Sequence, residues 1–118
     1  MKKKLSHLNI FKQYIVNTEY KIIVPLFEIR LCYVTQEFKD KCGLSKRCVW
    51  INSKVIKHIY DNHQKDSYEI MLNLIPIIKS HDFLYKRISD NTDDKIYLLK
   101  YINKVNYFCV LEKNLNCL

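Results

Sequence analysis

At 118 residues, with 48% hydrophobic and 27% charged side chains, the chain is one domain's worth of globular protein and not a disordered acidic or low-complexity segment. Its net charge of +8 is one-sided: residues 1–57 hold twelve Lys/Arg against four Asp/Glu, whereas residues 58–118 hold eight of each. Such a field points to a polyanionic partner, with nucleic acid ahead of a membrane surface because no segment is a sustained basic amphipathic helix.

The start, MKKKLSHLNIFKQYIV, has the basic head of a signal peptide, but His7, Asn9, Lys12 and Gln13 interrupt the apolar stretch that should follow. No run reaches transmembrane length, and the chain reads as cytoplasmic, in the host cell if phage-encoded. Residues 1–18 fit a helical turn or a strand equally and form a candidate N-terminal extension of a single domain spanning 1–118. After Pro25, which marks an edge or a bulge, Phe27, Ile29, Leu31 and Tyr33 alternate with Glu28 and Arg30, the pattern of a half-buried strand. Residues 35–48 are polar enough for a loop or a short helix and carry Lys39, Lys41, Lys46 and Arg47, candidate phosphate contacts that taken singly are ordinary solvated residues.

Val49, Trp50 and Ile51 predict a buried strand, and Ser53 an N-cap for a helix over about 54–64. Stepping 100° per residue puts Val55, Ile56, Ile59 and His63 on one side and His58 on the flank. The five-residue step from His58 to His63 turns roughly 140°, so the two imidazoles diverge and do not form a zinc-binding i, i+4 pair. Either histidine, beside Lys54 and Lys57, is a candidate proton-transfer group; equally, His63 suits a helix C-terminus and His58 a solvated flank. Asp66 and Glu69 have capping-box spacing for a second helix with Tyr68, Met71, Leu72 and Ile75 as its apolar stripe, kinked or ended by Pro76.

From Phe83 onward the pattern becomes strands: 85–89, a turn over 90–94, 95–102, a turn over 103–106, 107–112, and a last turn at 113–116. Helices followed by an antiparallel meander predict an α+β fold, with helices on one face of a small antiparallel sheet and the other face open to a ligand. Lys86 and Arg87 point to opposite faces of their strand. Five cysteines, odd in number and without a CxxC pair, predict reduced thiols; Cys42 and Cys48 are poorly spaced for zinc, and no metal or cofactor is expected. The single glycine, absent alanine and abundant Lys, Ile, Asn and Tyr match an AT-rich coding sequence, so tyrosines alone do not signal base stacking.

The stretches VWINSKVIKHIYDNHQKD and LNLIPIIKSHDFLYKR resemble the phage-associated predicted nucleases of the barnase, EndoU, colicin and RelE superfamily, over roughly residues 49–112. The resemblance implies an RNase-toxin-like core and metal-independent RNA cleavage, the ribose 2′-hydroxyl attacking the adjacent phosphate. It also implies His58 or His63 as acid or base, Lys86 or Arg87 on the phosphate, and His81 as a spare. That pattern continues into a further strand, where this sequence offers only Cys117 and Leu118. The leading expectation is therefore a basic RNA- or ribonucleoprotein-binding protein on a cut-down RNase-like fold, in the manner of a phage or mobile-element inhibitor of RNA-guided host defence. Lys39, Lys41, Lys46, Arg47, Lys54, Lys57, Lys86 and Arg87 would be its phosphate contacts. The alternatives are an active RNase toxin using His58 and His63, and a protein-interaction module for an acidic partner.

Overall fold

Strand β1 (Glu28–Tyr33) follows the alternation of its sequence for only half its length. Ile29 and Leu31 are buried, but a bulge between Arg30 and Cys32 against β2 (Cys48–Asn52) inserts one residue and inverts the phase. Cys32 then faces the core and Tyr33, expected inside, is exposed. The computed structural model describes residues 6–86, 95–112 and 117–118. Within them the fold is α+β, with four α-helices, a two-stranded sheet and a three-stranded sheet, both antiparallel. None of these helices is long and apolar enough to cross a membrane.

Helix α1 (His7–Ile10) is capped by Ser6, whose hydroxyl accepts the Asn9 N–H at 3.1 Å, and widens into a π-helical stretch over Phe11–Ile15. Ile10, Phe11 and Ile15 are buried in the main core, which makes this segment an integral part of the globule. His7 is buried with them and its Nε2 donates to the Met71 carbonyl at 3.0 Å. The basic connection folds as α2 (Gln36–Cys42), with Thr35 accepting the Phe38 N–H at 3.1 Å and Gly43 closing the end at φ 69°. Only glycine enters that left-handed conformation without a steric penalty.

Helix α3 (Ser53–Asn62) begins one residue earlier than its sequence suggests. Asn52 is the cap, accepting the Val55 N–H at 3.0 Å, and the predicted cap Ser53 is instead fully buried. Its hydroxyl donates to the Pro25 carbonyl at 2.6 Å and accepts the Phe27 N–H at 2.9 Å. One and two turns on, Lys57 and Asp61 continue the same face. The Lys57 ammonium, also buried, sits 2.6 Å from the Asp61 carboxylate and 2.7 Å from the Glu19 carbonyl. The Asp61 carboxylate in turn accepts the Lys21 N–H at 3.1 Å. Lys57 is thus an interior structural cation, and the expectation that it meets a polyanion is corrected.

Helix α4 (Ser67–Lys79) starts where the capping-box spacing placed it, yet Asp66 makes no side-chain cap bond. The helix passes through Pro76, whose missing N–H spares the carbonyl of the exposed Leu72. Its buried set is Met71, Leu74, Ile77 and Ile78, so the expected stripe is rotated and Tyr68 and Leu72 face outward. Strands β3 (Phe83–Lys86), β4 (Lys95–Ile102) and β5 (Val105–Glu112) form the meander in order, β3 beginning two residues before its predicted start. Arg87 and the predicted turns at 90–94 and 113–116 lie outside the described residues. The β4–β5 turn is two residues and not four: Asn103 and Lys104 both take positive φ, 49° and 66°, as a type I′ hairpin requires.

Ile96, Leu98, Cys109 and Leu111 face the helices and are buried. Among the described residues Cys117 bridges both sheets, β2 at Trp50 and β5 at Glu112. The Glu112 N–H donates to the Cys117 carbonyl at 2.7 Å and the Leu118 N–H to the Trp50 carbonyl at 3.0 Å. Cys117 and Leu118 thus lie between β2 and β5.

Replacing Lys57 by Met takes the cation from the Asp61 carboxylate and the donor from the Glu19 carbonyl, so the urea midpoint should fall, part of the loss being regained when Asp61→Leu is added. Burial lowers the pKa of His7 despite its bond to Met71. The unfolded chain then takes up a proton, near its ordinary value of about 6.5, that the folded chain refuses, and stability falls as pH drops through that region. His7→Gln should flatten the urea midpoint between about pH 7.5 and about pH 5.5. Asp61 acts lower on the scale: its pKa is held down chiefly by the Lys57 hydrogen bond, and its contribution is lost only as pH falls below the ordinary carboxylate range, about 4.

Candidate functional site

The inward set Ser53, Lys57 and Asp61 fixes the rotation of α3 and leaves Val55, His58 and Ile59 toward the edge of β5. The helix stops at Asn62. His63 has φ −136° and ψ 47°, its N–H bonding the Ile59 carbonyl at 2.9 Å and its carbonyl accepting the Asp66 N–H at 3.0 Å to turn the chain into α4. Because His63 has left the helix, the helical-wheel separation of the two histidines does not apply, and both line one groove of about 620 Å³. Ile59, Ile70, Leu74 and Leu118 make its apolar lining; His58, His63, Lys95 and Glu112 are its polar groups. Lys95 and Glu112 are direct cross-strand partners on β4 and β5.

The Asn62 amide donates to the His58 carbonyl at 2.8 Å and lies 3.2 Å from His58 Nδ1 and 3.4 Å from Nε2, which holds the exposed ring against its own helical turn. Cys109 also borders the groove, but burial pushes its thiol up to about 12, so it is a neutral wall and not a thiolate nucleophile. A second hollow of about 700 Å³ shares His63, Ile70, Leu74 and Phe108 and runs on toward Asp66 and Glu69. The hollow is therefore acidic toward Asp66 and Glu69, whereas Lys95 and Glu112 set one cation beside one carboxylate at the end nearer His58. Among the described residues no three His, Cys, Asp or Glu side chains come together as a metal ion would require.

The open face of the meander carries a cluster of rings. Tyr85 and Tyr97, opposite one another on β3 and β4, stack with centroids 5.2 Å apart and planes 7° apart. Phe108 on β5 lies 5.5 Å from Tyr97 and 6.4 Å from Tyr85. Phe83, Tyr85, Tyr101 and Phe108 are about half exposed or more. Phe108 belongs both to this platform and to the histidine groove.

The remaining candidates disperse. Lys54 is exposed on the first turn of α3 and Lys46 in the turn before β2, while Lys39 lies 4.0 Å from the Asp40 carboxylate. Lys41 and Arg47 line a different pocket together with Lys79 and His81. The backbone of Lys86 pairs with Ile96; Arg87 is outside the described residues. Lys95 and Glu112 are absent from the sequence-derived set. The Asn103–Lys104 turn carried the signal for them, because a two-residue hairpin loop brings 95 opposite 112 whereas a four-residue one does not. The three-ring platform follows from the same register.

Searches of family models, curated proteins and solved structures find nothing that matches this chain, so the groove and the aromatic face are read from their own chemistry.

Proposed function

We propose that the protein binds RNA in a single-stranded stretch, with unpaired bases on Tyr85, Tyr97 and Phe108 and the adjoining sugar-phosphate in the histidine groove. The observation that carries this reading is Phe108, which makes the aromatic platform and the groove one continuous surface. Unpaired bases stack on exposed rings without regard to sequence, at roughly 1–3 kcal/mol per base. Lys95 is the cation beside the groove, and the net charge of +8 supplies the longer-range, salt-sensitive attraction for a polyanion.

Cleavage is the second reading, favoured by two imidazoles, an ammonium and a carboxylate around one groove. In-line attack needs a base to take the 2′-hydroxyl proton, an acid to protonate the departing 5′-oxygen and a cation beside the phosphate. The 2′-oxygen forms the new bond to phosphorus as the bond to the 5′-oxygen breaks, leaving a cyclic phosphate. His58, His63 and Glu112 are the groups for proton transfer and Lys95 the cation.

Labelled single-stranded RNA, incubated with the protein in chelator and run on native and denaturing gels, tests both readings. Retardation should weaken steeply with salt and by about tenfold for Tyr97→Ala or Phe108→Ala, as loss of one stacked base predicts. A cleavage product that disappears in His58→Ala or His63→Ala moves the protein to the RNase reading. Retardation indifferent to both ring substitutions, or no retardation and no product at all, overturns the RNA assignment in favour of a protein partner.

A further inference from the structure

At the other end of α4 a second pocket, of about 670 Å³, lies between that helix, α2 and the end of β1. Its charged lining is three cations, Lys41, Arg47 and Lys79, against one carboxylate, Glu37, with His81 beside them. Tyr33 and Phe38 supply the ring surfaces. This is the size range of small-molecule sites, which combine apolar walls with a few convergent polar groups.

The cations are positioned in different ways. Arg47 is clamped: its Nε donates to the Val34 carbonyl at 2.8 Å while its own carbonyl accepts the Val34 N–H at 2.8 Å. His81 donates from Nδ1 to the Ile78 carbonyl at 3.2 Å and packs its ring 5.5 Å from Phe38, which leaves Nε2 as the ring atom for a ligand. Lys79 sits in the last turn of α4, where a cation ordinarily serves the helix end. Here that service is already performed. The carbonyls of Pro76, Ile78 and Ser80 accept from Ser80, His81 and Lys100, respectively. Among the described residues the Lys79 ammonium has no hydrogen-bond or ion-pair partner.

We infer that this pocket binds a phosphate-bearing nucleotide, its phosphate held by Lys41, Arg47 and Lys79 and its base laid against Phe38 and Tyr33. Arg and Lys together suit a phosphate, the guanidinium by its fixed fork and the ammonium as a point charge. The same chemistry is offered by a free mononucleotide and by the terminal phosphate of an RNA. The site does not depend on the histidine groove, and it stands or falls separately from the RNA reading.

The test is calorimetric and NMR titration of the intact chain with AMP, adenosine and inorganic phosphate. AMP should bind more tightly than either fragment. Lys79→Glu and Lys41→Glu, both exposed positions whose folding is checked by circular dichroism, should each weaken AMP about tenfold or more, the cost of reversing one phosphate contact. Lys65→Glu, a charge reversal at an exposed position outside both sites, should leave AMP binding unchanged. Short RNAs with and without a 5′-phosphate identify the source: a phosphorylated end that displaces AMP assigns the pocket to RNA termini, and failure to displace it assigns the pocket to free nucleotides. AMP that does not bind, that binds no better than adenosine, or that binds both charge-reversed variants as well as the parent chain overturns the inference.

Discussion

The buried face of α3 sets the rest of the molecule. Ser53, Lys57 and Asp61 are four residues apart and so fall on one line of the helix, and each ties down a piece of the connection between the N-terminal helix and β1. That connection has no regular structure from Asn17 to Phe27, and Asn17 and Lys21 take positive φ within it. Backbone groups with no ladder need partners, and this helix face supplies them, with Tyr60 adding a bond to the Asn17 N–H at 2.9 Å. Once the inward line is fixed, the outward line is fixed too, and it carries His58. The orientation of the candidate site is thus a by-product of how the preceding loop is satisfied.

The one-sided charge of the sequence does not become a single basic face. Lys57 is withdrawn into the interior, Lys41 and Arg47 gather with Lys79 around a pocket at one end of α4, and the histidine groove at the other end draws its ammonium from the nearly neutral second half of the chain. The two sites share α4: Ile70 and Leu74 line the groove, and Ile78 and Lys79 the cationic pocket.

Much of the fold is legible in the sequence where the signal is a period. The α+β class, the strand at 95–102 and the helix after His63 follow from alternation and from an apolar run bounded by polar residues. What the sequence hides are single-residue events that shift phase. The bulge in β1 exchanges Cys32 for Tyr33; Asn52 caps in place of Ser53, because the Ser53 hydroxyl is claimed by Pro25 and Phe27 from a distant segment. Helix termination one residue before His63 undoes an angle computed for a continuing helix. Lys57 reads as surface in a one-dimensional pattern because its partners include the Glu19 carbonyl, 38 residues away. The histidines could be nominated from sequence, but Lys95 and Glu112 required the hairpin register, which depends on two left-handed residues that are not glycine.

Among the described residues the two sheets meet through isolated bridges at Cys117 and the neighbouring Leu118 amide. Three hydrogen bonds through Cys117 and Leu118 connect β2 to β5, and Leu118 also lines the histidine groove. At about 0.5–1.5 kcal/mol of net stability per bond, unfastening that stitch costs a small fraction of what separating β4 from β5 would cost. The groove is thus bordered on one side by Leu118, held through isolated bonds, and on the other by a strand held in a full ladder. An excursion that lifts the stitch while the hydrophobic core stays intact belongs to the sub-global openings that proteins sample without unfolding. Hydrogen exchange at the Glu112 and Leu118 amides would then run ahead of the β4–β5 ladder.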